Sequence, residues 1–197
     1  MNFLNPDINN EKNPPGKGTL LLAEPFLNDP GFLRAVVLLC EHNIDGTVGF
    51  ILNQPMELTL SDLGSEETSV SPLPPVPLYY GGPVEPDTLH IVHRIPDLLG
   101  GVEIAPGIYW GGSYAMLKQL LATDEYDTSA FRLFLGYSGW SVGQLEREMQ
   151  EESWLVGKAI EKIVFDTGAL ETWKKAICSL GPEFSFLASM PINPQLN

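Results

Sequence analysis

Glu41-His42-Asn43 places an acid, an imidazole and an amide in direct succession, where the hydrophobic run V-V-L-L-C at 36–40 gives way to the turn signal Asp45-Gly46. An imidazole oriented by a carboxylate can serve as a general base. The same side chains at a strand end also cap a hairpin turn and satisfy loop amides. The capping role is the favoured reading, ahead of a small-ligand pocket and of catalysis. Asn53, before Gln54-Pro55, suits a turn side chain and could also offer its amide to a ligand. Gly81-Gly82-Pro83 and Gly111-Gly112-Ser113 could form anion nests. No P-loop lysine or dinucleotide fingerprint follows either, so tight turns are the simpler account. The candidate ligand pocket is therefore Glu41, His42, Asn43, Asn53, Gly81, Gly82 and His90, with no residue assigned to catalysis, cofactor or metal.

Metal chemistry would need His90 and His93 to join His42, Cys40 or Glu41. Positions 90 and 93 are an odd number apart and face opposite sides of a strand, so a shared ion requires a bulge. His90 is read as bonding to backbone. G-Y-S-G-W at 136–140 lacks the closing glycine of a nucleophile elbow, which speaks against a serine hydrolase at Ser138. Glu148 and Glu152 share a helix face and could meet a cation, but a solvated face is the default. Cys40 and Cys178 both sit in apolar contexts and read as buried free thiols.

These residues sit in a chain of 197 with 25 acids against 11 bases, a formal net charge of −14. That charge repels a phosphate backbone at long range, so direct nucleic-acid binding is disfavoured. The bias is local too: no Lys or Arg lies between Arg34 and Arg94, an interval holding eight acids. No apolar run approaches a membrane span. The N-terminus is polar after Leu4 and does not read as a signal peptide, so the expected location is cytoplasmic.

Strands are expected at Thr19–Ala23, within Phe32–Cys40, and at Val48–Leu52, Leu78–Tyr80, Leu89–His93 and Ile108–Trp110. The second and third should form a hairpin. Phe131 onward is a buried strand that Gly136 and Gly139 should break. Ser141 with Gln144 makes a capping box, so a helix should start there and bury Leu145 and Met149. Ser113 should cap a helix over Tyr114–Ala122, and Thr172 a last helix that Gly181-Pro182 stops. A short helix could begin near Leu58–Leu63, capped by Thr59 or Ser61. Segment 64–77 is a Ser/Pro loop, 96–107 a loop, and 158–165 is ambiguous between helix and strand. Successive strands without intervening helices argue for α+β over a doubly wound sheet.

The motifs L-L-L-A-E-P, V-V-L-L-C-E-H-N, G-F-I-L-N-Q-P, Y-G-G-P-V and L-G-Y-S-G-W-S-V-G-Q-L-E-R-E, in this order, closely resemble the AlgH-like (UPF0301) family of bacterial proteins. The resemblance covers roughly residues 18–181. It implies a single α+β domain of coiled, irregular, mainly antiparallel sheets flanked by helices, in a bacterial cytosolic protein. The expected organisation is a loose tail at 1–17, the domain at 18–187 and a loose tail at 188–197. The family takes its name from a proposed regulator of alginate synthesis genes, and the resemblance brings with it neither an established enzymatic activity nor a DNA-binding motif. The expectation is a non-enzymatic regulatory or interaction protein with a protein partner or small ligand and no cofactor. The alternative is a small-molecule binder or enzyme built around Glu41, His42 and Asn53.

Overall fold

The computed structural model describes residues 13–63, 74–123 and 126–191. Its strands are β1 (Thr19–Ala23), β2 (Val36–Asn43), β3 (Gly46–Ile51), β4 (Pro55–Thr59), β5 (Pro77–Tyr80), β6 (Val84–His93), β7 (Val102–Ala105), β8 (Ile108–Trp110), β9 (Phe131–Trp140) and β10 (Trp154–Lys158). The helices are α1 (Pro96–Leu99), α2 (Tyr114–Leu121), α3 (Gln144–Gln150), α4 (Glu161–Val164) and α5 (Ala169–Ser179). The strands form one curled sheet in the order β10-β1-β2-β3-β9-β6-β8-β7, with β5 also pairing to β9 and β4 to β5. All pairings are antiparallel except that of β5 with β9. The fold is thus the expected α+β class.

β1 and β2 read as continuous apolar runs, although an antiparallel strand with one wet face would alternate. The reason is that both of their faces are covered. Leu20, Leu22, Val36 and Leu38 pack with Trp173 and Ile177 of α5 on one side. Leu21, Ala23, Val37 and Leu39 pack with Leu145 and Met149 of α3 on the other. A third cluster sets Leu117 and Leu121 of α2 against Leu78, Ile91 and Leu133.

β9 holds the sheet together. Its first half lies between β5 (Leu78 opposite Leu133) and β6 (Ile91 opposite Leu133), and its second half reaches β3 (Thr47 opposite Trp140). Gly136 marks the change of partner and adopts φ 66°. A Cβ there would stand 2.5 Å from the carbonyl oxygen of Gly82, and one on Gly81 would stand 2.1 Å from that of Gly136. Only glycines let these backbones cross so closely. The expectation that Gly136 and Gly139 break the strand is therefore corrected: β9 runs on through both glycines to Trp140.

Further differences have local causes. The Gln144 side chain does reach back to accept the Ser141 N–H at 3.1 Å, but the helix begins at Gln144, behind Gly143 at φ 75°. α5 starts at Ala169, and Thr172 lies inside it, its hydroxyl donating to Gly168 O at 3.0 Å. Segment 96–107 holds α1 and β7 where a loop was expected, and the ambiguous segment resolves into the end of β10 followed by α4. The Ser113 cap is as expected, its side chain accepting from the Met116 N–H. Met190 packs on the core and its carbonyl oxygen accepts from the Arg34 guanidinium, while Leu187 is buried. The expected tails fall largely on residues 1–12 and 192–197, and most of the Ser/Pro loop on 64–73, all outside the described residues.

Candidate functional site

The β2–β3 hairpin explains the Glu41-His42-Asn43 triplet. Asn43 Oδ1 accepts the Asp45 N–H at 2.7 Å, which closes the tight turn at Ile44-Asp45, and Asn43 Nδ2 donates to Glu41 Oε1 at 2.6 Å. His42 lies directly across from Thr47, with its Nδ1 2.7 Å from Thr47 Oγ1. The carboxylate of Glu41 therefore engages Asn43 and not the imidazole. Glu41 and Asn43 nevertheless line an open cleft of about 400 Å³, together with Asp45, Tyr137 and Trp140. The cleft forms because the hairpin tip stands beside the end of β9, where Gly46 passes close to the Trp140 carbonyl.

The other candidates stand apart from that cleft. Asn53 Oδ1 accepts the Val36 N–H and its Nδ2 donates to Arg34 O, both at 2.9 Å, so both ends of the amide hold backbone. Gly81 donates its N–H to Leu135 O at 2.8 Å, and its carbonyl oxygen accepts the Ile51 N–H at 3.1 Å and the Ser138 hydroxyl at 3.0 Å. Gly82, at φ 149°, fits against the Tyr137–Ser138 backbone. His90 packs on Phe50 and Tyr137, ring centroids 5.0 and 5.8 Å away, and its buried Nε2 has no hydrogen-bond partner. Among the described residues, the backbone bond expected for His90 is thus not formed. It lines a different cleft of about 440 Å³ with Trp110 and Tyr114. His93, on the opposite side of β6, stacks on Tyr109 with centroids 5.8 Å apart. Burial pushes both imidazoles below their ordinary pKa; for His90 the charge of Glu85 partly opposes this.

The structure thus brings Glu41 and Asn43 together in one cleft and leaves Asn53, Gly81, Gly82 and His90 elsewhere. Asp45, from the same turn, and Tyr137 and Trp140 also line the cleft; the two aromatics were absent from the candidate set because β3 and β9 meet only in the folded chain. Glu148 is corrected as well. Its carboxylate is not on a solvated face: it accepts from Trp140, Trp154 and Gln144 beside a second cleft of about 310 Å³ that also contains Phe32 and Asp29. Cys40 is buried, but Cys178 is exposed, against expectation. Among the described residues no helix is long and apolar enough to cross a membrane.

Comparison with known proteins matches residues 20–185 to the AlgH-like family model. A UPF0301 protein of Chlorobaculum tepidum is 42% identical over 181 residues, covering 91% of this chain and 95% of its own. A UPF0301 protein of Chlorobium phaeobacteroides is 41% identical over 183 residues, with the same coverage of 91% and 95%. Among solved structures, the AlgH protein of Pseudomonas aeruginosa aligns with a TM-score of 0.69 at 30% identity, over 89% of this chain and 94% of that one. A crystal structure of a Corynebacterium diphtheriae protein shares the fold, with a TM-score of 0.70 at 22% identity over 90% and 94%. The chain belongs to the AlgH-like (UPF0301) family.

Proposed function

We propose that the protein is a non-enzymatic interaction protein of regulatory type, which docks a basic polypeptide partner on the face formed by the β2–β3 hairpin tip and the end of β9. One observation carries this reading. The 400 Å³ cleft bears the carboxylates of Glu41 and Asp45, and exposed apolar side chains stand at the hairpin tip and just past β9: Ile44 is 88% and Val142 71% exposed. Acidic groups beside exposed apolar residues suit a surface that steers a basic partner and then buries apolar contact. Any effect on gene expression would then pass through that partner, because a net charge of −14 opposes direct duplex binding. Cytoplasmic residence belongs to the same reading, and two free cysteines suit a reducing compartment.

The test compares proteins cross-linked in cells to the wild type, to Ile44→Asp/Val142→Asp and to Glu41→Lys/Asp45→Lys. A basic partner held by the wild type and lost from both variants supports the reading. An unchanged set of partners overturns it. The size of the cleft and its Tyr137 and Trp140 walls also favour a second reading, a small ligand at Glu41 and Asn43. A bound metabolite released by Glu41→Lys/Asp45→Lys, with no polypeptide lost, would select it.

A further inference from the structure

Arg132 is a cation buried among neutral partners. It lies within the apolar run F-R-L-F-L of β9 and is 7% exposed. Its Nη1 donates to Leu52 O at 2.7 Å and its Nη2 to Thr167 O at 2.8 Å, and its Cζ sits 4.8 Å from the ring centre of Tyr79. Among the described residues no carboxylate comes within ion-pair distance of it. A charge taken out of water is costly unless an opposite charge meets it. Burial pushes the guanidinium pKa down, and only the electrostatic pull of Tyr79 and Asp166 opposes the shift.

Arg132 also lines a cavity of about 230 Å³. Val76, Tyr79, Phe131 and Phe165 supply apolar and aromatic surface, Thr128 adds a hydroxyl, and Arg132 is the one charged residue of the wall among the described residues. Among the described residues, the acids of the neighbourhood are already engaged. Asp166 and Glu161 lie 3.0 and 3.7 Å from Arg94, and Asp127 accepts both the N–H and the hydroxyl of Ser129 at 2.8 Å. Arg94 in turn donates to the Ser129 hydroxyl oxygen at 2.8 Å, so the serine is occupied as well. A guanidinium carries five N–H donors in a planar fork that matches a carboxylate, and two bonds do not exhaust them.

We propose that this cavity binds a small organic monoacid, its carboxylate paired with Arg132 and its apolar body packed between Tyr79 and Phe165. The volume lies below the usual range of about 300–1,000 Å³ for larger ligands, which limits the occupant to a short-chain or single-ring acid. The site is independent of the docking face at the hairpin tip.

Titration calorimetry and NMR shift mapping of the full chain with benzoate and butyrate test the assignment, with benzylamine and inorganic phosphate as controls. Saturable binding of at least one acid is expected, with shifts centred on Tyr79 and Phe165 and none from benzylamine. Arg132→Lys should weaken it at least tenfold. Thr128→Glu changes an exposed residue of the wall, spares the fold, and should weaken it by a similar factor through repulsion. That variant keeps the proposal falsifiable even where Arg132→Lys does not fold. Failure of both acids to saturate, equal binding of benzylamine, or indifference to Thr128→Glu would overturn the proposal. Saturation by phosphate alone would replace it with an inorganic-anion site.

Discussion

Trp140 at the end of β9 and Trp154 at the start of β10 share one acceptor: both indole N–H groups donate to Oε2 of Glu148, at 2.9 and 2.8 Å. Oε1 of the same carboxylate accepts from Gln144 Nε2 at 2.9 Å. One side chain of α3 thus ties together two strands that are not neighbours in the sheet. Glu148→Leu would leave two buried indole donors without partners, each costing about 1–3 kcal/mol. We expect a loss of roughly 2–6 kcal/mol in urea unfolding. Glu148→Gln keeps an acceptor oxygen and should lose less than half as much. Equal losses for the two variants would show that the indoles do not depend on this acceptor.

Asn53 makes a second cross-link. Its amide joins the Val36 N–H to the Arg34 carbonyl, and Arg34 itself is held at φ 51°, which a non-glycine residue rarely adopts. Asn53→Ala removes both bonds and leaves Val36 N–H and Arg34 O unpaired at the entry to β2. The expected loss is about 2–3 kcal/mol. Asn53→Asp should restore the bond to Val36 but not the donor to Arg34, and should fall between the two. An alanine variant as stable as the wild type would remove Asn53 from the scaffold and return its amide to the list of ligand-binding groups.

The two cross-links show where sequence reasoning stops. β1, the hairpin and the Ser113 cap were legible because each signal is local: an apolar run, a turn dipeptide, a hydroxyl just before a helix. β4, β7 and β10 were not. β4 and β7 are only five and four residues long; β4 is largely exposed, and β7 buries just its last two residues. β10 merges with the helix before it in pattern, and it becomes a strand only through pairing with β1, far away in the chain. Of the candidate site, Glu41 and Asn43 were legible from the turn, whereas Tyr137 and Trp140 join them only because β9 folds beside β3. Arg132 left one readable trace, a cation inside an apolar strand.

Burial depresses the pKa of His90 and His93 below the ordinary value of about 6.5. The unfolded chain therefore binds protons that the folded chain refuses. The stability linked to these groups is fully present above about pH 6.5 and is lost as pH falls through that value toward the folded pKa. Glu24 works in the opposite direction: burial raises its pKa, so its unfavourable ionisation is relieved only at lower pH. Urea midpoints should therefore decline between about pH 7 and 5.5. His90→Phe should flatten part of that decline. A midpoint that holds steady or rises over this interval would contradict the assigned protonation states.

The two cysteines should differ sharply in reactivity. Cys178 lies exposed on α5. Cys40 is buried in β2, its Sγ 3.8 Å from the Leu38 carbonyl oxygen, and burial raises its pKa well above the ordinary thiol value. The thiolate is the reacting species, so Cys40 is suppressed twice, by access and by protonation. With a coloured disulfide reagent near pH 8, the native protein should release one equivalent of thiol rapidly, and Cys178→Ser should abolish that phase. The second equivalent should appear only with denaturant, at a rate that follows opening of the β1–β2–β3 core. Rapid native labelling of Cys40 would mean that this part of the sheet opens far more readily than its double-sided burial implies.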